Sequence, residues 1–285
     1  MTRDPGTRLA ADLSSAGLGT AAGRAWPGCQ TGSVRDPSAR TARDELLADA
    51  ARRAGQYVDQ VADRPVAPTP AALADLDRFD ELLPEQPSDP LETLALLDDA
   101  GSAATVSTTG PRYFGFVNGG TLPIALASAW LASAWDQNAA LPVMSPVAAR
   151  LHQVTRTWLV ELFGLPGTSV AAFVTGATMA NASALAAARD HQLAELGWDV
   201  PSQGLRGGPA LTVVAGERAH STLLKALGLI GLGHDQVVRV PADDQGRMRA
   251  ELLPDLEGPV VVCAQAGEVN TGAFDPFPEI VSWAR

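Results

Sequence analysis

From Thr41 onwards, Leu46, Leu47, Ala50, Ala54, Val58 and Val61 fall three to four residues apart among charged neighbours, the spacing of one helix face. Thr41 and Asp44 stand in capping-box-like positions at the start, and Pro65 bounds the end. A Pro-rich stretch from Pro65 to Pro70 follows, then a short helical pattern over 73–83, then Pro84, Pro87 and Pro90, then a further helical pattern over 91–97. Two longer patterns cover 122–135 and 146–163, the second with Leu151, Val154, Trp158, Leu159 and Leu162 on one face and Pro166-Gly167 as its stop. The rhythm then changes. Short apolar runs at 171–174, 210–215, 236–240 and 259–263 read as strands. Helical stretches at 179–196, 220–232, near 249–256 and from Pro278 separate them. Strands that are apolar on both faces and alternate with helices predict an α/β fold: a mostly parallel sheet with helices on both faces. The organisation expected is a disordered leader over 1–40, an N-terminal helical segment over 41–117 and a sheet-containing domain over 118–285.

Composition narrows the function. A hydrophobic content of 46% over 285 residues is ample for a core. A net charge of −11 without a basic block disfavours nucleic acid and anionic membrane as partners, which leaves small-molecule chemistry. No run of 18 apolar residues and no secretory h-region occur, so a cytoplasmic protein is expected. The two cysteines, Cys29 and Cys263, do not suggest a disulfide framework. No histidine pair has zinc-site spacing, so no metal is expected. Gly228-x-x-Gly231-x-Gly233 has its glycines in the wrong order for a dinucleotide fingerprint and reads as a helix stop, and a Gly-x-Ser-x-Gly elbow is missing. Lysine is scarce: Lys225 is the only one, five residues after His220 in an apolar helical pattern, where it should point to solvent.

The segment with the most chemical content is Phe173-Val174-Thr175-Gly176-Ala177-Thr178-Met179-Ala180-Asn181. An apolar run that breaks at Gly176-Ala177-Thr178 and restarts as an Ala-rich helix leaves free N–H groups and a hydroxyl at a helix N-terminus, a setting suited to a phosphate. A plain N-cap has the same signature. His220 follows 42 residues after Thr178, just past a predicted strand, where an imidazole can stack on a ring or simply begin a helix.

Together with Arg112-Tyr113-Phe114-Gly115-Phe116-Val117-Asn118, Ser145-Pro146-Val147-Ala148, Arg218-Ala219-His220-Ser221 and Asn270-Thr271-Gly272-Ala273-Phe274-Asp275, this segment resembles the pyridoxal-phosphate-dependent group II decarboxylases, the aromatic-amino-acid and glutamate decarboxylase family. The resemblance runs from about Thr41 to Arg285. It implies the fold type I, aspartate aminotransferase-like large domain and pyridoxal 5'-phosphate as cofactor. It further implies an amino acid as substrate and a homodimer in which the N-terminal helical segment packs on the partner subunit. Carried over residue by residue, it assigns Gly176, Ala177 and Thr178 to the phosphate, with Thr in place of the family's Ser. His220 falls to the pyridine ring, Gln265 to the cofactor face, and Phe114 and Asn118 to the substrate pocket; core packing accounts for Phe114 equally well. Around Gln265 and Glu268-Val269 the chain departs from the family, which has threonines there. The family's Schiff-base lysine and its pyridine-nitrogen aspartate lie downstream of the segment matching Asp275, so no catalytic residue is assigned. The 285-residue chain is expected to be inactive as it stands. A truncated, non-catalytic fragment that binds the cofactor weakly or pairs with another subunit, and an aminotransferase, are the alternative readings.

Overall fold

The computed structural model describes residues 37–285, so most of the leader expected over 1–40, and Cys29, lie outside the described residues. The chain divides into two compact units, with the boundary between Thr155 and Arg156.

In the first unit, α1 (Pro37–Gln60) begins ahead of the expected start because Thr41 lies inside the helix, its hydroxyl donating to the Pro37 carbonyl at 3.0 Å. The later helices share one device. Proline occupies the first turn, where its missing N–H costs nothing, behind a residue in extended conformation. Thr69 precedes α2 (Pro70–Ala74), Asp89 precedes α3 (Pro90–Leu96) and Leu122 precedes α4 (Pro123–Trp135). Asp89 accepts the N–H groups of Leu91 and Glu92 at 2.8 and 3.1 Å, a full cap for a short helix. The helix expected over 73–83 is shorter: α2 runs on only as a 3-10 turn (Asp75–Phe79). Pro84 disfavours helical backbone at Leu83, which together with Leu82 is solvent-exposed. Arg53 ties α1 to the turn Leu97–Gly101 through Asp98 and Asp99 at 2.9 and 3.0 Å while also holding Asp49 on its own helix. Arg112 donates to the carbonyls of Ala62 and Arg64 at 3.0 and 2.7 Å and so anchors the segment that carries Phe114 and Asn118.

The boundary between the units falls inside α5 (Pro146–Leu162), which forms where expected. The apolar face predicted for it is present, yet Leu151, Trp158 and Leu162 on that face are exposed.

The second unit holds the sheet. Three strands, β1 (Thr212–Gly216), β2 (Val238–Val240) and β3 (Val260–Cys263), pair in parallel in the order β2-β1-β3. Val214 lies opposite Val238 on one side and Val262 on the other. The side-chain alternation of a strand splits the core in two. Val213 and Ala215 pack with Ala182 and Leu185 of α6 (Ala177–Glu195) and with Ala226 and Leu227 of α8 (Ser221–Leu229). Val214 and Val240 pack on the opposite face with Met248 and with Ile280 of α9 (Phe277–Ala284). Between α6 and β1 lies the short helix α7 (Val200–Gln203). Helices therefore cover both faces, as the sequence pattern requires.

Glycine sets where α8 ends. Gly231 adopts φ 80°, its N–H meets the Gly228 carbonyl and the Leu232 N–H reaches back to the Leu227 carbonyl at 3.0 Å, with Leu232 packed on the Leu227 cluster. This paired hydrogen-bond stop is the function of Gly228-x-x-Gly231-x-Gly233.

One expected strand is missing. Residues 171–174 lie outside the sheet, and Phe173 and Val174 are exposed. An apolar run is a strand only where a neighbouring strand offers both hydrogen-bond partners and burial, and β2-β1-β3 provides neither for this segment.

Cys263 ends β3, and burial pushes its thiol up to about 11. Because the charged form is the disfavoured one, this burial contributes stability below about pH 9, and the contribution is lost as pH rises from about 9 towards 11. The reactive species is the thiolate. Iodoacetamide at pH 8 should therefore leave Cys263 unlabelled in the folded chain and label it readily in urea, as read by peptide mass mapping.

Candidate cofactor-binding site

The chain enters α6 through Thr175 and Gly176. Gly176 is extended and has no side chain with which to cap the helix it precedes. The first intrahelical bond runs from the Ala180 N–H to the Gly176 carbonyl at 3.0 Å, so the N–H groups of Ala177, Thr178 and Met179 have no carbonyl partner within the helix. A Cβ placed on Gly176 would meet nothing within 4 Å, so the space beside Gly176 is open. Thr178 is half-buried one step into the helix. Uncapped donors, a hydroxyl and the positive end of the helix dipole form a donor set suited to a dianion.

His220 is the N-cap of α8 and is exposed. Its Nδ1 accepts the Thr222 N–H at 3.2 Å and lies 2.9 Å from the Thr222 hydroxyl. The same hydroxyl oxygen accepts from Asn181 Nδ2 at 3.2 Å, which joins the second turn of α6 to the first turn of α8. The structure thus brings the helix of Thr178 and the side chain of His220 together. Neither Asn181 nor Thr222 was recognised from sequence. The available signals were their spacings: Asn181 follows Thr178 by three residues on one helix, and a hydroxyl two residues past a histidine marks a cap.

Gln265 follows β3 as His220 follows β1, so both stand beyond the carboxyl ends of adjacent strands, where ligands of such sheets collect. Its backbone is tightly held. Asp275 accepts the Gln265 N–H at 2.7 Å and the Met248 N–H at 2.7 Å, while its own N–H returns to the Gln265 carbonyl at 3.0 Å. Asp275 is buried, at 8% exposure. In the loop between them, Glu268 accepts the N–H groups of Asn270 and Thr271 at 2.6 and 2.9 Å, and these bonds hold its carboxyl below the usual range. Glu268 is thus a turn cap, which accounts for an acidic residue at a position where the resembled family has a hydroxyl.

Lys225 is exposed on α8, next to buried Ala226 and Leu227. Phe114 and Asn118 belong to the first unit. Phe114 is 92% exposed, so core packing does not explain it, and Asn118 Nδ2 lies 3.4 Å from the Tyr113 hydroxyl. Phe116 and Val117 between them have φ of 54° and 57°, a left-handed pair that is costly for a β-branched residue.

The family described as "Pyridoxal-dependent decarboxylase conserved domain" matches residues 77–283. The chain belongs to this pyridoxal-dependent decarboxylase family. Among its relatives, the aromatic-L-amino-acid decarboxylase of Bacillus atrophaeus is 27% identical over 252 residues, covering 83% of this chain and 50% of the relative. A glutamate decarboxylase-like protein of Gibberella zeae is 28% identical over 216 residues, covering 72% and 41% respectively. The crystal structure of mouse CSAD in apo form superposes with a TM-score of 0.74 at 26% identity, over 87% of this chain and 53% of that one. Oryza sativa TDC, solved with PLP and tryptamine, has a TM-score of 0.73 at 22% identity, over 87% and 54%, and shows the shared fold. The chain spans about half the length of the relatives it matches.

The architecture is accordingly that of fold type I pyridoxal-phosphate enzymes, and the cofactor of the family is pyridoxal 5'-phosphate. The residues present fit the phosphate of that group, since the start of α6 offers N–H donors without a side-chain cap, with open space beside Gly176. Among the described residues, no group of acidic, histidine and cysteine side chains could hold a metal ion, and no helix is long and apolar enough to cross a membrane.

Proposed function

We propose that the chain forms the phosphate- and ring-binding part of a pyridoxal-phosphate-dependent amino-acid decarboxylase, with residues 118–285 contributing to the large domain and 41–117 serving as an N-terminal helical arm. The observation that carries this reading is the uncapped start of α6 with Thr178 in its first turn, in a chain of this family. The Ala177 and Thr178 N–H groups and the Thr178 hydroxyl bind the phosphate. His220 presents its imidazole to the cofactor ring, and Gln265, held by Asp275, supplies a polar contact. Phe114 and Asn118 serve the substrate side. When bound, pyridoxal phosphate supplies the electron sink that accepts the pair left by loss of CO2. The exposed apolar side chains of α4 and α5, Trp130 and Trp158 among them, support assembly as a homodimer.

The 285-residue chain by itself does not turn over in this reading, because Lys225, its one lysine, faces solvent on α8. Two measurements test the proposal. Absorbance titration should show that pyridoxal phosphate binds more tightly than pyridoxal, and borohydride treatment should leave Lys225 without a pyridoxyl label. Equal binding of the two compounds would overturn the phosphate site. A label on Lys225 accompanied by CO2 release from an aromatic amino acid or glutamate would overturn the inactivity of the isolated chain.

A further inference from the structure

The histidine at the start of α8 has its ring fixed on one side by two donors. The Thr222 N–H points at Nδ1 from 3.2 Å, and a nitrogen that accepts an N–H cannot itself carry a hydrogen. The Thr222 hydroxyl lies 2.9 Å from the same nitrogen. Because Nδ1 carries no hydrogen, the hydroxyl is the donor in this contact, and its oxygen in turn accepts from Asn181 Nδ2 at 3.2 Å. The relay therefore runs in one direction, from the amide of Asn181 to the hydroxyl of Thr222 to the imidazole of His220. Asn181 lies one turn beyond Thr178 on α6, so the helix that starts at the phosphate site also sets the histidine.

From this relay we infer that Asn181 and Thr222 are positioning residues that hold His220 as the Nε2–H tautomer, so that the exposed edge of the ring offers a hydrogen-bond donor and selects an anionic or carbonyl oxygen as its ligand. A tautomer set by the partner of the second ring nitrogen is the general means by which proteins assign such roles. The purpose of the donor rests on the cofactor-site reading above, but its existence does not.

The test is long-range 1H–15N correlation spectroscopy on ligand-free protein labelled with 15N-histidine, with His220 assigned by loss of its signals in His220→Asn. The expected result is a protonated Nε2 and an unprotonated Nδ1 for His220. Thr222→Val and Asn181→Ala should lower the ratio of the two tautomers, Thr222→Val by about fivefold, the effect of one neutral hydrogen bond. Thr222→Ser should restore it. A proton on Nδ1 in the unmodified chain overturns the inference whatever the variants do, as does an unchanged ratio in folded Thr222→Val. Titration of the same samples with pyridoxal phosphate keeps the two ideas apart. The expected tautomer without cofactor binding defeats the functional reading alone, and intact binding with the opposite tautomer defeats this inference alone.

Discussion

Replacing Thr178 with glutamate is expected to weaken pyridoxal phosphate binding by at least about a hundredfold. The variant removes a hydroxyl and sets a carboxylate where the phosphate dianion must lie. Two like charges about 4 Å apart repel by about 4 kcal/mol at the effective dielectric of a protein surface, and each 1.4 kcal/mol is a factor of ten in affinity. The same substitution should not harm folding, because an acidic side chain in the first turn of α6 interacts favourably with the helix dipole. Thr178→Ser keeps the hydroxyl and should bind within a few-fold of the parent. Equilibrium dialysis with circular dichroism on the same samples separates lost affinity from lost structure. If Thr178→Glu binds as well as the parent, the phosphate does not sit at the start of α6.

Substituting Asp275 with alanine should destabilise the second unit by about 2–5 kcal/mol, the cost of leaving one buried and one part-buried N–H donor unpaired. The donors are the N–H groups of Met248 and Gln265, each 2.7 Å from the carboxylate, and Met248 is 2% exposed, so water cannot easily replace the lost acceptor. Asp275→Asn retains one carbonyl oxygen and should fall between the two. Chemical denaturation followed by tryptophan fluorescence, with Trp283 on α9 as a reporter beside Val214 and Met248, measures the difference. A loss below about 0.5 kcal/mol, the range of ordinary surface substitutions, would mean that the Asp275 bonds do not hold the loop after β3.

The parallel sheet could be read from the chain because its signal is local: apolar runs of strand length separated by helical periods. The start of α6 was legible for the same reason, since a Gly followed by a helical pattern marks a helix N-terminus locally, and the structure added that Gly176 leaves it without a side-chain cap. Lys225 was also placed correctly, because a single charge beside buried Ala226 and Leu227 has only one direction in which to point.

Other features depended on partners far along the chain. Residues 171–174 have the composition of a strand, but strand formation needs a neighbour, and composition does not name one. The apolar face of α5 was identifiable as a face, though not as an exposed one, because burial is a property of what packs against it. Asp275 looked like part of a loop motif, and its carboxylate proved to bind the backbone of Met248, 27 residues earlier. His220 was a candidate from its place after β1, but its ring is oriented by Asn181 and Thr222 from two helices. Sequence alone therefore determined most of the order of elements, the family resemblance and the start of a helix after Gly176, because each depends on residues within a turn or two of one another. Only the tertiary structure decided that Asn181 reaches Thr222 and that Asp275 binds the Met248 N–H, because those bonds join residues 41 and 27 positions apart that meet only once the chain has folded.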